Sequence, residues 1–307
     1  MPDFFLGEKL HCGFSVHRHC MKSYFLAARP KTLPAAIVPV WVGCALAYYL
    51  EGSWNLTLAV YTLMGAIWIQ IATNFFNDAI DSDKGADTEA RLGPVRATAS
   101  GQLSRNTVFG AAVVCLLIAA VFGYLLFAAR GWPILAIGIP SLYLCYGYTG
   151  GPVPLAYRGL GELFVILFFG VVAVTGTVFV QIGSWPPEAF IMGISIGCLS
   201  AILISINNLR DLDEDRGNHK NTLAVKWGRE RALNLLILME VPPYAVLVHI
   251  FGWQLNLLVF LPALLLGIFL VRKVIQTPPG TVYNKFLALS ALQLILYAAA
   301  IHLMVVL

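Results

Sequence analysis

Charged residues are scarce in this sequence. Only 12% of its 307 residues are Asp, Glu, Lys or Arg, and 59% are hydrophobic, whereas a soluble globular domain carries about a quarter charged residues. This shortage argues against a soluble protein and indicates that lipid surrounds most of the chain. Basic clusters are missing too: the longest run of Lys and Arg is Arg272-Lys273, which disfavours a nucleic-acid-binding protein.

Cysteine motifs and a secretory signal are also absent. The six cysteines form no CxxC pair, and the His-rich stretch around Cys12 and Cys20 matches no common zinc-ligand spacing. The first twenty residues lack the long apolar segment of a secretory signal, whereas the chain from Met21 onwards is typical of a membrane-protein N-terminus. We therefore expect residues 1–22 to form a cytoplasmic extension and residues 23–307 to form one transmembrane domain.

Hydrophobic segments that could cross a bilayer recur nine times. Crossing about 30 Å of hydrocarbon takes roughly 20 apolar residues in a helix. The predicted spans lie near residues 33–50, 57–77, 106–128, 132–148, 160–182, 188–208, 232–251, 255–271 and 285–305. In the sixth span, Gly193 and Gly197 form a small-xxx-small pattern, which predicts close approach of a neighbouring helix. The sequence thus predicts an all-α, polytopic membrane protein.

Positive charge is confined to one side of these spans. Nineteen of the twenty Lys and Arg residues lie before the first span or in the loops after spans 2, 4, 6 and 8, and only Arg130 lies on the other side. Because basic loops stay in the cytoplasm, we expect a cytoplasmic N-terminus and an external C-terminus. The loops after spans 2 and 6 are long, which is typical of functional loops.

The end of span 2 and the loop that follows it are rich in amide and acidic side chains. In order, the notable residues are Asn74, Asn77, Asp78, Asp81, Asp83, Lys84, Asp87, Arg91 and Arg96. The first four recur at intervals of three or four, which places them on one face of a helix. A carboxylate inside a membrane costs about 2.5–3.5 kcal/mol on insertion scales, so this stripe indicates function.

A second acidic segment follows span 6. It contains Asn208, Arg210, Asp211, Asp213, Glu214, Asp215 and Lys220. Asn208, Asp211 and Asp215 again share one helical face. Residues 74–96 and 207–224 together contain nine of the chain's sixteen acidic residues. So many like charges at one site repel each other unless cations bridge them.

The composition of the two segments predicts a magnesium–diphosphate site. Oxygen ligands with few His or Cys residues nearby suit Mg²⁺, which proteins commonly bind by a few carboxylates and substrate phosphates. The basic residues between the acids are suited to the charge that develops on a leaving diphosphate. Solvated loops would explain the charge but not the paired spacing at two helix ends.

The two segments resemble the signature motifs of the UbiA superfamily of intramembrane prenyltransferases. That family has NDxxDxxxD after its second helix and DxxxD after its sixth, which here correspond to residues 77–81 and 211–215. Gly85 stands where the last Asp of the first motif would be. This variant, with the sequences around Arg96 and Lys220, is similar to the branch of 1,4-dihydroxy-2-naphthoate polyprenyltransferases.

The resemblance implies a nine-helix bundle around a central chamber that opens sideways to lipid. It further implies that Mg²⁺ holds a polyprenyl diphosphate, whose ionisation gives an allylic cation. An electron-rich aromatic ring attacks this cation. In the naphthoate branch the ring loses its carboxylate and yields demethylmenaquinone, which places the protein in menaquinone biosynthesis and in a bacterial inner membrane.

The resemblance also implies roles for individual residues. Those expected to bind metal are Asn77, Asp78, Asp81, Asp211 and Asp215. Those expected to act in catalysis are Asp81, Asp87, Arg96 and Asp211. Those expected to contact substrate are Asn74, Lys84, Arg91, Arg96, Tyr148, Asn208, Arg210 and Lys220. Whether Asp83 or Asp87 serves the metal site stays open.

Two alternatives to naphthoate prenylation follow from the same residues. The first is a prenyltransferase of this family with another aromatic acceptor, such as 4-hydroxybenzoate, homogentisate or a different naphthoate. The second is a cation transporter that uses the carboxylates as an ion path. Transporters usually place such sites near the membrane midplane on broken helices, whereas these acids lie at one membrane face, which favours the enzyme. No motif predicts the prenyl chain length or the oligomeric state.

Overall fold

The computed structural model describes residues 21–85, 92–94 and 96–306. These residues contain helices, turns and loops but no strand. The main helices are α1 (Pro34–Glu51), α2 (Leu56–Asp83), α3 (Arg105–Arg130), α4 (Pro133–Gly147), α5 (Gly161–Ile182), α6 (Pro187–Arg210), α7 (Leu223–Phe251), α8 (Leu255–Gln276) and α9 (Tyr283–Val306). All but α4 are long and apolar enough to cross a membrane. The all-α polytopic fold predicted from the sequence is therefore confirmed.

Several main helices are irregular, and short helices connect them. The middle of α5 is a π-helix over Ile166–Val172, α7 is divided at Glu240, and α8 opens with a 3₁₀ turn over Leu255–Phe260. The short helices are residues 21–27, Pro30–Thr32, Leu155–Tyr157 and Leu212–Gly217. The last two of these lie beside the acidic segments, where they position side chains for the site.

Helix α6 is the packed axis of the bundle. In its most apolar stretch of 18 residues, 72% are buried. A Cβ on Gly193 would lie 2.7 Å from the Cα of Val171, and one on Gly197 would lie 2.6 Å from the carbonyl oxygen of Ile166. Both neighbours are on α5, at or next to its π-helical part, so the close helix approach predicted from the Gly193–Gly197 pattern is confirmed.

Helices α2, α3 and α4 pack together on one side of the molecule, while α5 packs against α1 and α6. Helix α4 makes few contacts with α5. Residues of both helices nevertheless line the same large cavity. The cavity therefore lies where these two helices diverge.

Two helix boundaries differ from the predicted ones at functionally important places. Helix α2 continues to Asp83 instead of ending near residue 77, so Asp78 and Asp81 lie on the helix, as their three- and four-residue spacing predicted. Its end coincides with Gly85, which has a φ of 63°, a left-handed conformation that glycine adopts without strain. Helix α7 begins at Leu223 because the Thr222 side chain accepts the N–H of Val225 as an N-cap.

The single basic residue predicted on the external side has a structural role. Arg130 donates from Nε to the carbonyl oxygen of Val180 and from Nη2 to that of Gln181, both at 2.6 Å. These carbonyls belong to the last turn of α5, where no intrahelical donor reaches them. The side chain of Gln181 in turn accepts the N–H of Asn55 at 2.7 Å, ahead of α2. These bonds join α5 to its neighbours at the end opposite the acidic segments.

Candidate active site

A cavity of about 830 Å³ lies among α1, α2, α4, α5 and α6. Its polar end is lined by Asn74, Asn77, Asp78, Asp81, Arg96, Tyr148, Glu162, Asn208, Arg210, Asp211 and Lys220. The rest of its wall is mainly apolar and includes Ile69, Leu126, Ile137, Phe164, Phe168 and Val172. Ten of the residues predicted from the sequence thus meet at one end of one cavity. Its shape and polarity suit a ligand with a charged head and an apolar tail.

The last turns of α2 are connected to segments far away in the sequence. Asn74 donates from Nδ2 to the carbonyl oxygen of Ala28 at 2.8 Å and to Oγ1 of Thr32 at 3.0 Å. The amide oxygen of Asn77 is hydrogen-bonded to the hydroxyl of Thr149, which follows α4. Asn74 therefore holds the segment before α1 against α2, while Asn77 faces the loop between α4 and α5.

Asp78 anchors the loop that carries Arg96. Its Oδ1 accepts the N–H of Thr98 at 3.0 Å and its Oδ2 accepts the N–H of Ala97 at 3.2 Å. The carboxylate is buried, and a buried charge is stabilised by such backbone donors. These two hydrogen bonds anchor the loop, and the metal contact predicted for Asp78 stays a prediction.

Asp81 is held by two residues from different loops. Its Oδ2 accepts from Nη2 of Arg96 at 3.0 Å, and its Oδ1 accepts from the hydroxyl of Tyr157 at 2.8 Å. The Nζ atom of Lys84 lies 3.8 Å from the centre of the Tyr157 ring and donates to the carbonyl oxygen of Thr149 at 2.7 Å. Tyr157 thus links an acid and a base of the first motif.

Tyr157 also approaches the second motif and was not predicted from the sequence. The Nζ atom of Lys220 lies 5.9 Å from the centre of its ring, so two lysines from distant segments approach one aromatic side chain. Partial burial lowers the pKa of Lys84, the Asp81 carboxylate opposes this shift, and the charge of Lys220 adds to it. Positive charge is therefore concentrated beside Asp81.

The end of α6 is organised around Arg210, which is 1% exposed. Its Nε and Nη2 donate to the two carboxylate oxygens of Asp211, each at 2.7 Å. Nη2 also donates to Oδ1 of Asn207 at 2.9 Å, and Nη1 donates to Oδ1 of Asn284 on α9 at 2.7 Å. This planar, charge-assisted pair orients Asp211 at the cavity wall and ties α6 to α9.

Asp215 lies behind the cavity wall, on the helix Leu212–Gly217. Burial raises its pKa from 3.8 to about 6, although Lys220 opposes the shift; Asp211 and Glu214 add to it. Its Oδ1 is 3.4 Å from Nζ of Lys220. Its Oδ2 is buried and has no hydrogen-bond partner among the residues that the structure describes. A cation at this oxygen would satisfy it.

The donor set at the polar end fits a magnesium ion that a substrate completes. Asn77 and Asp81 from α2 and Asp211 from α6 line the same cavity. No three acidic, His or Cys side chains form a complete metal cluster within the described parts of the chain. Mg²⁺ commonly takes one or two carboxylates, with substrate phosphates and water as the other ligands. The residues therefore fit Mg²⁺ as part of a complex with a phosphorylated substrate.

Asn208 and Tyr148, both predicted from the sequence, line the cavity next to the first residues of α5. Asn208 donates from Nδ2 to Oε1 of Glu162 at 2.9 Å. A Cβ on Gly161 would lie 3.0 Å from the hydroxyl oxygen of Tyr148, so that hydroxyl lies directly against the helix start. Glu162 was missed, although an acid at the start of a predicted span is a signal for function.

Of the two acids proposed for the metal site, the structure describes only Asp83. Asp83 is exposed and pairs with Arg105, with 2.9 Å between its Oδ2 and both Nε and Nη2 of the arginine. It does not line the cavity. The predicted site residues Asp87 and Arg91 lie outside the residues that the structure describes, so their roles stay predictions.

Comparison with known proteins identifies the family. The model of the UbiA prenyltransferase family matches residues 36–301. The chain belongs to this family. A 1,4-dihydroxy-2-naphthoate octaprenyltransferase of Haemophilus influenzae is 34% identical over 215 residues, or 68% of this chain and 70% of the relative. A 2-carboxy-1,4-naphthoquinone phytyltransferase of Synechocystis is 30% identical over 279 residues, or 88% of this chain and 89% of the relative.

Solved UbiA structures share the fold at low sequence identity. The apo structure of a UbiA homologue from Aeropyrum pernix has a TM-score of 0.68 and 17% identity, covering 90% of this chain and 98% of that one. A homologue from Archaeoglobus fulgidus bound to GPP and Mg²⁺ has a TM-score of 0.65 and 16% identity, covering 91% and 99%. This UbiA protein is thus an integral membrane prenyltransferase, and the transporter alternative is not supported.

Proposed function

We propose that this UbiA protein transfers a polyprenyl group from polyprenyl diphosphate to 1,4-dihydroxy-2-naphthoate, with Mg²⁺ and with loss of CO₂, to give the hydroquinone form of demethylmenaquinone. The observation that carries the proposal is the meeting of both acidic segments at the polar end of an otherwise apolar cavity. The naphthoate acceptor is supported by the names of the relatives. We place the acidic end in the cytoplasm, as the basic-residue asymmetry favours, and the bundle in a bacterial inner membrane, as the bacterial sources of the relatives favour.

The polar end binds the diphosphate. Asn77, Asp81, Asp211 and Asp215 would hold Mg²⁺, which would supply positive charge to the diphosphate as the C–O bond breaks. Arg96 and Lys220 line the same end and stabilise the charge that develops on the leaving group. Arg96 is positioned for this by its pairing with Asp81 and by the loop that Asp78 anchors.

The apolar wall binds the isoprenoid chain and excludes water from the allylic cation. The rings of Phe164 and Phe168 stack with centroids 5.4 Å apart and both line the cavity. Aromatic faces stabilise nearby cations, and a dry wall protects the cation from hydrolysis. The acceptor ring attacks the allylic cation left by the departing diphosphate, a C–C bond forms, and the ring–carboxylate bond breaks to release CO₂ and restore the aromatic ring.

Purified protein tests the proposal directly. Supplied with Mg²⁺, a polyprenyl diphosphate and 1,4-dihydroxy-2-naphthoate, it should release one CO₂ for each prenylated product, and EDTA should abolish the reaction. Parallel assays with 4-hydroxybenzoate and homogentisate test the acceptor. Preference for either of those rings would overturn the naphthoate assignment, and turnover in EDTA would overturn the metal requirement.

A further inference from the structure

Glu162 is a buried acid in the cavity that the diphosphate site does not use. Its side chain is 4% exposed and lines the cavity. Oε1 accepts the hydrogen bond from Asn208, whereas Oε2 is buried and makes no hydrogen bond within the described part of the chain. Ser205, one turn before Asn208 on α6, lies beside the same carboxyl group.

An unsatisfied carboxylate oxygen in such a cavity requires a hydrogen-bond donor from a ligand. Among the parts of the two substrates, the diphosphate and the isoprenoid chain offer no donor, whereas a ring hydroxyl of the aromatic acceptor does. The hydroxyl of Ser205 also lies beside this carboxyl group and has no partner in the described chain, so it can take part in the same hydrogen bonding. We propose that Glu162 binds the acceptor by accepting a hydrogen bond at Oε2 from one of its ring hydroxyls, an inference that rests on the proposed function.

The hydrogen bond to Glu162 also orients the acceptor. With one hydroxyl held at Oε2, the acceptor's carboxylate can turn towards the basic residues Arg96 and Lys220, which line the same cavity. The hydroxyl and the carboxylate of the ring are thus bound by different groups of the protein. Glu162 thereby becomes a residue that determines which aromatic rings are accepted and in which orientation.

A second buried glutamate in the chain provides a matched control. Glu240 accepts from Nε2 of Gln293 at 2.8 Å, and its Oε1 has no hydrogen-bond partner in the described chain. It packs against Gly267, where a Cβ would lie 2.7 Å from its Oε2. Glu240 thus repeats the amide-paired arrangement of Glu162, but it does not line the cavity.

The principal test is the substitution Glu162→Gln in the full-length protein, with Glu240→Gln as its control. Asn208 holds the amide oxygen of the new side chain, so its NH₂ group faces the cavity and a donor replaces the acceptor. We expect the Kd for 1,4-dihydroxy-2-naphthoate, measured by tryptophan fluorescence in detergent, to rise about tenfold or more. The KM for prenyl diphosphate should stay unchanged, and Glu240→Gln should change neither constant.

An acceptor with one hydroxyl removed, 1-hydroxy-2-naphthoate, shows whether Glu162 binds the acceptor directly or only stabilises the structure. If the hydroxyl at position 4 is the donor, the wild-type protein binds this analogue about tenfold more weakly. The Glu162→Gln variant discriminates less between the two rings, because a phenolic hydroxyl is a poorer acceptor for the NH₂ group than it is a donor to a carboxylate. If the hydroxyl at position 1 is the donor, 4-hydroxy-2-naphthoate gives that pattern instead. Equal sensitivity of both proteins to both analogues would overturn the proposal.

Failure of the inference is distinguishable from failure of the proposed function. A wild-type protein that prenylates a different hydroxylated ring contradicts the naphthoate assignment, and the same Glu162 comparison is then made with that ring and its deoxy analogue. If Glu162→Gln does not fold, as judged by its thermal transition, Glu162→Asp is measured with the same pair of rings. Undiminished discrimination in that variant, whose carboxylate is withdrawn by one methylene, would contradict direct contact.

Discussion

The two helices that end in acidic segments are built differently. Only 17% of the most apolar stretch of α2 is buried, against 72% for α6. The acids of α2 are held by partners from distant segments: Asp81 by Arg96 and Tyr157, and Asp78 by the backbone after Arg96. The principal acid of α6, Asp211, is instead held by its neighbour Arg210.

This difference indicates that α6 mainly stabilises the bundle, whereas α2 mainly forms the site where charge changes during the reaction. The segment at α6 is part of the packed axis, because Arg210 also ties α6 to Asn284 on α9. The segment at α2 forms a cavity wall whose partners come from loops. We therefore expect substitutions at α2 to act mainly on chemistry and substitutions at α6 to act on stability as well.

The largest expected effect is the loss of activity when Asp81, the acid of α2 that loop residues hold, is replaced. Asp81→Ala removes a carboxylate that lines the cavity and pairs with Arg96, so kcat should fall by about 10²–10³. Asp83→Ala, one half-turn away, removes an exposed carboxylate that pairs with Arg105, and its kcat should stay within about twofold. Steady-state prenylation assays measure both. Equal losses would show that general charge, and not the position of Asp81, matters.

The two arginines should separate stability from activity. Arg210→Ala leaves Asp211 buried without its charge partner and should lower the free energy of unfolding by roughly 3–5 kcal/mol. Arg96→Ala should lower it less, because Asp81 keeps the hydrogen bond from Tyr157. Thermal unfolding in detergent compares the two. A larger loss of stability in Arg96→Ala would contradict the description of α6 as the structural axis.

Glycines on the two helices test the packing difference. A Cβ on Gly197 of α6 would lie 2.6 Å from the carbonyl oxygen of Ile166, whereas one on Gly65 of α2 would lie 3.8 Å from Phe122. Gly197→Ala should therefore destabilise the protein by about 1–3 kcal/mol. Gly65→Ala should be neutral or stabilising by about 0.4–1 kcal/mol. Thermal unfolding in detergent measures both changes. A larger loss of stability in Gly65→Ala than in Gly197→Ala would contradict this difference in packing.

The smallest effect concerns pH and the second acidic segment. The pKa of Asp215 is raised to about 6, so its carboxylate is ionised above that pH and protonated below it. Protons then compete with metal for this oxygen, and the Mg²⁺ concentration that gives half-maximal activity should rise by about tenfold from pH 7 to pH 5. Asp215→Asn should flatten this dependence. An unchanged pH profile in that variant would exclude Asp215 from metal binding.

The sequence alone determined the membrane helices and the approximate composition of the site. Hydropathy set the spans, because burying some 20 apolar residues in lipid leaves few alternatives to a helix. The three- and four-residue spacing of Asn74, Asn77 and Asp81 placed one side of the site on a helix face. The predicted span ended near residue 77, because hydropathy falls where the acidic residues begin, whereas the helix continues to Asp83.

Only the tertiary structure decided which partners complete these residues. Tyr157 and Thr149, which follow α4 in the sequence, are hydrogen-bonded to Asp81 and Asn77 on α2. Asn284 on α9 accepts a hydrogen bond from Arg210. Glu162 becomes a candidate acceptor ligand because Asn208 occupies one of its oxygens and the cavity faces the other. Hydropathy and local spacing carry no information on such contacts, because they join segments tens of residues apart through the packing of the whole bundle.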